Sequence, residues 1–584
     1  MLLLPRNPHL RHLLPSSHRL SFFHRQFSFA AAMAQEYKLK GVSALPKPGQ
    51  KQEAEVEGIQ DAKVLLVGLQ TAGKAEVKAL GARCTHYGAP LVKGVLTSTG
   101  RLSCPWHGAC FNAAQNGDVE DAPALDALPV FPLTERDGGY YISGEEAAIK
   151  GSRRRPNFPC SVSTDSKEHV VVVGGGSGTL GVVEGLREKG YRGRLTVISK
   201  EGYLPIDRTK LSKALITDAA KLAWRDKSWY DSGAVEWVDG EVNGVDFAAK
   251  HVSTTSGSKI PYTKLVLATG GTPRTLPLPG FKELGNIFTL RRVHDAKNIV
   301  DAIGDKGKKI VIIGSSFIGM EIANATASDN SVTVVGQEKV PLERVLGEKV
   351  GAGIQTFLEG KGIKFYMSAG VDRAEPSSSD PSKVGAVHLK DGTKLDADLV
   401  ILGVGVAPET TYLKDNSAVQ LESDQSLRTT DSHFAVQGLT DVYAIGDIAS
   451  YPYHGPGGDG KLVRIEHWNV AQNAGRSVAT HIVDPSHSSQ QFIPVFWSAL
   501  GAQLRYCGNT MASGWDDLIL DGNVAEAKFV GYYFKGETVV AAVTQGRDPA
   551  MIQIAELMKL GLMPSKDQLQ RGADIFSIDV AAHV

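Results

Sequence analysis

Two stretches of the chain carry the same order of apolar and polar positions. The first opens with an apolar run over 169–173 and passes through Gly174-Gly-Gly-Ser-Gly-Thr-Leu-Gly181. It continues as a helical pattern over 182–189 and an apolar run over 195–199. The second repeats that order: apolar over 310–313, a Gly/Ser turn, helical over 318–327, apolar over 332–335. Mostly apolar runs of four or five residues suit strands buried on both faces, as in a parallel sheet. Strand, glycine turn, helix and strand in that order predict two doubly wound α/β units of dinucleotide-binding type. From 64 to 143 the rhythm is different. Short apolar runs alternate with Gly, Pro and Asn, which predicts a small all-β domain. A polar, proline-bearing stretch beginning Gly151-Ser-Arg-Arg-Arg-Pro reads as a linker. The last hundred residues mix strands (530–534, 539–543) with a helix (550–559), which predicts an α+β unit.

Length agrees with this division, since 584 residues correspond to roughly four units of ordinary size. An apolar fraction of 42% and a charged fraction of 22% exclude wholesale disorder. Lys+Arg and Asp+Glu are 63 each, so there is no chain-wide basic footprint and no nucleic-acid partner is predicted. No run is long and apolar enough for a membrane-spanning helix. Residues 1–35 lack Asp and Glu and carry Arg6, Arg11, Arg19 and Arg25 with several Ser and His. That composition predicts a mitochondrial presequence rather than a plain basic tail. Pro5, Pro8 and Pro15 interrupt any secretory core, and a start at Met33 would yield a cytosolic form.

Five cysteines are too few for a disulfide scaffold, but three of them cluster. Cys84-Thr-His86 is followed, after seventeen residues, by Cys104-Pro-Trp-His107. Two Cys and two His can hold tetrahedral zinc. Zinc signatures, however, pair Cys with Cys and His with His. The interleaved order suits a [2Fe–2S] centre in which two thiolates hold one iron and two imidazoles the other. The spacing, Pro105 and the glycines Gly88 and Gly108 resemble the Rieske pattern. Ala89 and Trp106 occupy the positions where the cytochrome bc type carries a bridging disulfide, so the resemblance is to the lower-potential Rieske-type ferredoxins. Cys110, Cys160 and Cys507 read as small buried thiols.

The glycine turns are candidate phosphate cradles, each opening a helix whose N-terminus attracts the pyrophosphate. In the first turn the count that starts at Gly174 keeps Gly174 and Gly176 and puts Thr179 third. A later count uses Gly176, Gly178 and Gly181. The end of the apolar run at Val173 favours the earlier one. Glu201, just past the next strand, is placed for a ribose hydroxyl. The second turn has Gly314, Ser316 and Gly319. After its next strand Gly336 replaces the expected acid, Glu338 comes two residues later, and no Arg awaits a 2′-phosphate. NADH is therefore weakly favoured over NADPH.

Further segments carry a family resemblance. Leu204-Pro-Ile-Asp207-Arg208-Thr-Lys210-Leu-Ser-Lys213 resembles a segment of oxygenase-type ferredoxin reductases. Leu267-Ala-Thr269-Gly270-Gly271 resembles the turn that returns the chain from the nicotinamide region. Gly446-Asp447 is similar to the second flavin motif. Arg464-Ile-Glu466-His467-Trp468 and Phe496-Trp497-Ser498 look like the apoptosis-inducing factor branch. From about residue 54 onward the chain resembles apoptosis-inducing factor 3-like proteins, which join a Rieske domain to a flavin reductase.

That resemblance implies a multidomain fold. It has a presequence at 1–35, an all-β Rieske domain at 36–150, a linker at 151–168 and FAD-binding parts at 169–292 and 426–487. An NAD(P)-binding domain spans 293–425, and a C-terminal α+β, dimerisation-like domain spans 488–584. It implies FAD against Gly174, Gly176, Gly178 and Glu201, with Arg208, Thr269, Gly270, Gly446, Asp447 and Glu466 completing the flavin site. NAD(P)H is implied against Gly314, Ser316, Gly319 and Glu338. It further implies a Lys213–Glu321 pair beside the flavin, with His467 and Trp497 near the reacting rings. No cysteine lies between Cys160 and Cys507, which excludes a dithiol mechanism. The expected activity is NAD(P)H oxidation through FAD to the chain's own Rieske centre and on to an unidentified one-electron acceptor protein. An NADH-sensing effector with slow turnover is the alternative, and monomer versus homodimer stays open.

Overall fold

The computed structural model describes residues 35–71, 73–156, 158, 162–163, 166–430, 433–487 and 492–581. The predicted presequence, Met33 and Cys160 lie outside the described residues.

In the N-terminal unit two antiparallel sheets enclose two cores, and the strand Lys63–Thr71 faces both, with Val64 and Leu66 in one and Leu65, Val67 and Leu69 in the other. The seven-stranded sheet runs Leu133–Arg136, Gly139–Gly144, Gln35–Lys40, Lys51–Val56, Lys63–Thr71, Lys74–Gly81 and Val130–Phe131. The four-stranded sheet runs Val95–Leu96, Arg101–Ser103, Cys110–Asn112 and Val119–Asp121. One Cys–His loop follows Lys74–Gly81, and the other joins Arg101–Ser103 to Cys110–Asn112.

Both predicted α/β units are parallel five-stranded sheets. The first has the order Val235–Asp239, Arg194–Ser199, His169–Val173, Lys264–Leu267, Val442–Ala444. The second has the order Ile287–Phe288, Leu399–Leu402, Lys309–Ile313, Ser331–Val335, Lys364–Tyr366. The Leu267–Gly271 turn is a correction to the sequence reading. It ends a strand of the first sheet and leads the chain towards the second unit. The return is Val406–Pro408, which pairs antiparallel with Gly271–Pro273. Ile287–Phe288 already belongs to the second sheet, ahead of the break expected at 292/293. The connection is extended and short, so composition does not mark it.

The helix Ser177–Glu188 packs against Trp468–Val483, and glycines set the distance between them. A Cβ on Gly181 would lie 2.2 Å from the Gln472 carbonyl oxygen, and one on Gly475 would lie 2.2 Å from that of Gly178. Gly178 and Gly181 of the later count thus serve helix packing. The C-terminal sheet orders Val495–Ala499, Gln503–Gly508, Thr538–Gln545, Lys528–Lys535 and Asp517–Asn523, with the helix Ala550–Leu560 against it.

The N-terminal unit is seated on the rest of the chain through apolar core and buried charge. Leu125 belongs to the core of the first α/β unit, and Val95 to that of the C-terminal unit. Arg225, buried, donates to Asp126 (2.6 Å) and the Leu125 carbonyl (2.9 Å) on one side of the seam. On the other side it donates to Glu184 (2.9 Å). Burial works against its charge, and Glu184 and Asp126 more than offset that. Glu556, also buried, accepts from Ser103 (2.6 Å) and Arg101 (3.2 Å). Arg476 reaches the Val119 carbonyl (2.9 Å), and Arg505 the Trp106 carbonyl (2.6 Å). The residues Arg153 and Arg154 at the start of the linker are tied back to the same unit, at Thr85 and Ala127.

Removing one member of a buried ion pair strands the other's charge. Arg225→Ala is expected to cost about 3–5 kcal/mol, read as an earlier urea midpoint for loss of the visible absorbance. Lys227→Ala, which breaks only the exposed pair with Asp231, is expected to cost less than about 1 kcal/mol.

Candidate functional site

The two Cys–His loops are built alike. The Cys84 N–H donates to the Ala89 carbonyl (2.9 Å) and the Gly88 N–H to that of Cys84 (2.9 Å). Cys104 and Ala109 (2.7 Å) and Gly108 and Cys104 (3.3 Å) repeat the scheme. Gly88 and Gly108 have φ of 77° and 73°, a region that favours glycine and lets each loop turn back after its histidine. The loops face one another. The Cys84 and Cys104 thiols lie close enough to influence one another, and the Nδ1 atoms of His86 and His107 are 3.1 Å apart. All four side chains are buried.

This donor set fits a binuclear centre. Among the described residues no group of three or more His, Cys, Asp or Glu is arranged to hold a metal ion. The ligands instead form a thiol pair and an imidazole pair, one pair for each iron of a [2Fe–2S] group. The facing Nδ1 atoms of His86 and His107 are the nitrogens placed to coordinate, and the buried Nε2 of His86 has no hydrogen-bond partner among the described residues. Cys110 is no ligand. Its thiol donates to the Gly108 carbonyl (3.3 Å), and burial pushes its pKa up.

Beside the imidazoles lies a cleft of about 890 Å³ between the two α/β units and the C-terminal sheet. Gly174, with φ of 114°, brings the backbone at the strand end so near its neighbour that a Cβ would lie 2.1 Å from the Ala268 carbonyl oxygen. Thr179, in place of a third glycine, donates to the Gly174 carbonyl (2.7 Å) and locks the turn. A Cβ on Gly176 would meet nothing within 4 Å, so the helix N-terminus stays open to an anionic group in the cleft. Arg208 pairs with Glu201 (2.7 Å) and donates to the Arg291 carbonyl (2.6 Å). Burial would raise the Glu201 pKa, but Arg208 holds it below the usual carboxylate range. Arg291 in turn pairs with Asp447 (2.7 Å). Thr269 donates to the Glu409 carbonyl (2.6 Å), and Gly270 takes φ of 71° at the cleft wall. Glu466, paired with Arg464, has its pKa raised by burial and by Asp447.

The structure brings Lys213, Glu321, His467 and Trp497 together at one end of this cleft. Lys213 Nζ lies 2.9 Å from Glu321 Oε1. Ser498 donates to the same oxygen (2.6 Å), and Ser212 donates to Oε2. His467 Nδ1 donates to Asn469 Oδ1 (2.6 Å), and burial lowers its pKa to about 4, Lys213 adding to the effect. The ring is therefore neutral at physiological pH, with Nε2 free to accept. Trp497 bridges the two halves of the site. Its ring centroid is 5.0 Å from that of His467 and 4.3 Å from that of His107. Behind it, Trp468 stacks towards His86 (6.3 Å) and meets Trp224 (5.2 Å).

The second turn lies at the edge of this cleft, which Phe317, Ile318 and Glu321 line. Ser316 donates to the Gly403 carbonyl (2.9 Å), and a Cβ on Gly319 would lie 2.4 Å from the Gly314 carbonyl oxygen. Glu338 accepts from Ser315 (3.2 Å) and is not among the cleft residues. Sequence reasoning missed Trp224, Arg225, Arg505 and the bond from Tyr87 to Asp207. Each joins segments far apart in the chain, and no local pattern signals such contacts.

Comparison with known proteins agrees with this arrangement. Residues 168–475 match the family described as pyridine nucleotide-disulphide oxidoreductase, and residues 35–132 match the Rieske [2Fe-2S] domain. Apoptosis-inducing factor 3 of Homo sapiens is 35% identical over 515 residues, covering 87% of this chain and 82% of the relative. The ferredoxin--NAD(+) reductase subunit of the benzene 1,2-dioxygenase system of Pseudomonas putida is 30% identical, covering 59% of this chain and 82% of the relative. Among solved structures, the covalent putidaredoxin reductase-putidaredoxin complex superposes with a TM-score of 0.66. It is 27% identical and covers 72% of this chain and 99% of the matched chain. Fold and site thus define an oxidoreductase that binds FAD, NAD(P)H and a Rieske [2Fe–2S] cluster. The chain belongs to the apoptosis-inducing factor 3 family of Rieske-bearing pyridine nucleotide-disulphide oxidoreductases. Among the described residues no cysteine lines the cleft.

Cys84→Ser and His107→Ala are each expected to abolish the cluster's visible and paramagnetic signatures while the flavin spectrum remains, checked by iron content and absorbance. A second prediction concerns pH. An unfolded His467 takes up its proton near about pH 6.5, but the folded one does so only near about 4. Acidification through that window therefore favours the unfolded chain. His467→Gln is expected to lose less stability than the wild type over the same window, in urea midpoints measured stepwise in pH.

Proposed function

We propose that the chain carries electrons from NAD(P)H through FAD to its own Rieske centre and on to a one-electron acceptor protein. The observation that carries this reading is the contact of His107 with Trp497, whose ring also lines the flavin cleft. When bound, NAD(P)H supplies a hydride, FAD accepts it and releases single electrons, and the cluster stores one electron at a time.

The protein's own groups supply position and charge. Lys213 places a cation at the cleft, where it stabilises negative charge as that charge develops. Glu321, held by Ser212 and Ser498, keeps the lysine from swinging into solvent. Neutral His467 offers an acceptor nitrogen without adding a second positive charge beside Lys213. Asp447 and Glu201, each paired to an arginine, are acceptors for ribityl and ribose hydroxyls. Trp497, Trp468 and Trp224 exclude water from the gap between cleft and imidazoles. The absence of an arginine at Gly336–Glu338 supports NADH as the donor. The acid-free, arginine-bearing residues 1–35 support a mitochondrial address.

An anaerobic NADH titration followed by absorbance and electron paramagnetic resonance tests the reading. Flavin bleaching accompanied by a growing Rieske signal is the expected outcome. Bleaching with the cluster left oxidised would put the NADH-sensing effector in its place. Lys213→Met is expected to slow flavin reduction about a hundredfold in stopped-flow absorbance, with FAD content unchanged.

A further inference from the structure

The two cluster loops are built alike but meet different surroundings. The tip of the second loop is buried. A Cβ on Gly108 would touch Val495 (3.4 Å) and Ile552 (3.6 Å) of the C-terminal unit. His107 faces Trp497, and Arg505 holds the Trp106 carbonyl. The tip of the first loop is open. A Cβ on Gly88 would meet nothing within 4 Å, and Tyr87 is 37% exposed. The Tyr87 ring lies nearly parallel to that of His86, with centroids 3.7 Å apart and planes 18° apart. It is the exposed member of an aromatic shell in which Trp468 and Trp497 are buried against the reductase and Trp224 is half-buried.

Charge around this opening is sorted by depth. Asp207, which accepts from the Tyr87 hydroxyl, and Asp126 are both buried, their side chains 3% and 2% exposed. Asp126 also holds the buried Arg225, but the other cationic partners, Lys210 of Asp207 and Arg153 of Asp126, face outward. Lys210 Nζ stands 5.0 Å from the centre of the Tyr87 ring, and Arg153 donates to the Thr85 carbonyl (3.3 Å). The carboxylates thus anchor the cations from below while the positive ends meet solvent.

We propose that the Tyr87–Gly88 tip is the port through which electrons leave the chain, and that an acidic one-electron acceptor protein docks on it between Lys210 and Arg153. This rests on the electron route proposed above. It adds that the two loops divide the work: the His107 loop receives from the flavin side, and the His86 loop delivers to solvent. The seam of buried ion pairs and shared core makes delivery at the His107 side inaccessible to a partner, so among the described residues the exposed tip is the approach left to the imidazoles. The overall step balances as one NAD(P)H and two oxidised acceptors giving NAD(P)+, one proton released to solvent and two singly reduced acceptors. Rieske centres lie above four-cysteine ferredoxins in potential, so a haem protein is a suitable acceptor and a plant-type ferredoxin is not.

The test uses the full-length holoprotein with cytochrome b5, an acidic haem protein, as probe and cytochrome c, a basic one, as control. Carbodiimide cross-linking of the oxidised proteins at low salt, mapped by mass spectrometry, is expected to join Lys210 to cytochrome b5 carboxylates. Lys210→Glu and Arg153→Glu are each expected to slow cytochrome b5 association by roughly tenfold, with a smaller salt dependence. NADH-driven reduction of the cluster in the same variants should match the wild type. Cytochrome c should bind the wild type more weakly than cytochrome b5 does. Cross-links confined to other lysines, or wild-type association rates in both variants, would overturn the proposed port. Binding is read on oxidised protein, so failure of the internal flavin-to-cluster step in the wild type is a separate result that counts against the route and not against the docking surface.

Discussion

The seating of the His107 loop on the wall of the flavin cleft is the contact on which the rest of this molecule depends. Electron transfer between two buried centres needs short, dry, fixed separation, and on the proposed route aromatic rings rather than a mobile carrier would meet that need. Trp497 is in contact with His107 on one side and His467 on the other. The seam around it combines apolar core shared across units with guanidinium groups whose partners lie on both sides. Such a seam resembles a domain core more than a transient interface. A carrier domain that docks and leaves would not be expected to strand Arg225, Asp126 and Glu184 at each departure.

Buried charge is used throughout the site, and in each case the group has its own donors or acceptors. Glu321 receives Lys213, Ser212 and Ser498. Glu201 and Asp447 each receive an arginine. Glu556 receives Ser103 and Arg101. A buried carboxylate without such partners would be neutralised or would destabilise the fold. His467 is the contrasting case. Burial and the nearby lysine keep its ring neutral, which leaves Lys213 the cation at that end of the cleft.

Close backbone approach explains the glycine pattern better than the phosphate fingerprint alone does. Gly174 and Gly314 close the turns over their neighbouring strands, and Gly319 packs its helix onto the second turn. Gly181 and Gly475 instead bring two helices of the flavin unit together. One run of glycines therefore serves two purposes, which is why two registers of the fingerprint could be counted in it.

Local order is what the sequence by itself determined. The two strand–turn–helix–strand units and the paired Cys–His loops were legible because each rests on a short pattern of residue types, whereas Lys213 and Glu321 were singled out only by the family resemblance. The exclusion of dithiol chemistry was legible too, since it follows from the positions of five cysteines. Tertiary structure alone decided how those pieces meet. The crossing between the α/β units at Gly271–Pro273 and Val406–Pro408 has no compositional mark. The clamp at Arg225 and the bond from Tyr87 to Asp207 link residues about a hundred positions apart or more. Two loops of almost identical local geometry differ only in what lies outside them: Gly108 against Val495 and Ile552, Gly88 against open space. Burial is a property of the assembled chain, and no run of neighbouring residues encodes which of two equal loops will face the cleft.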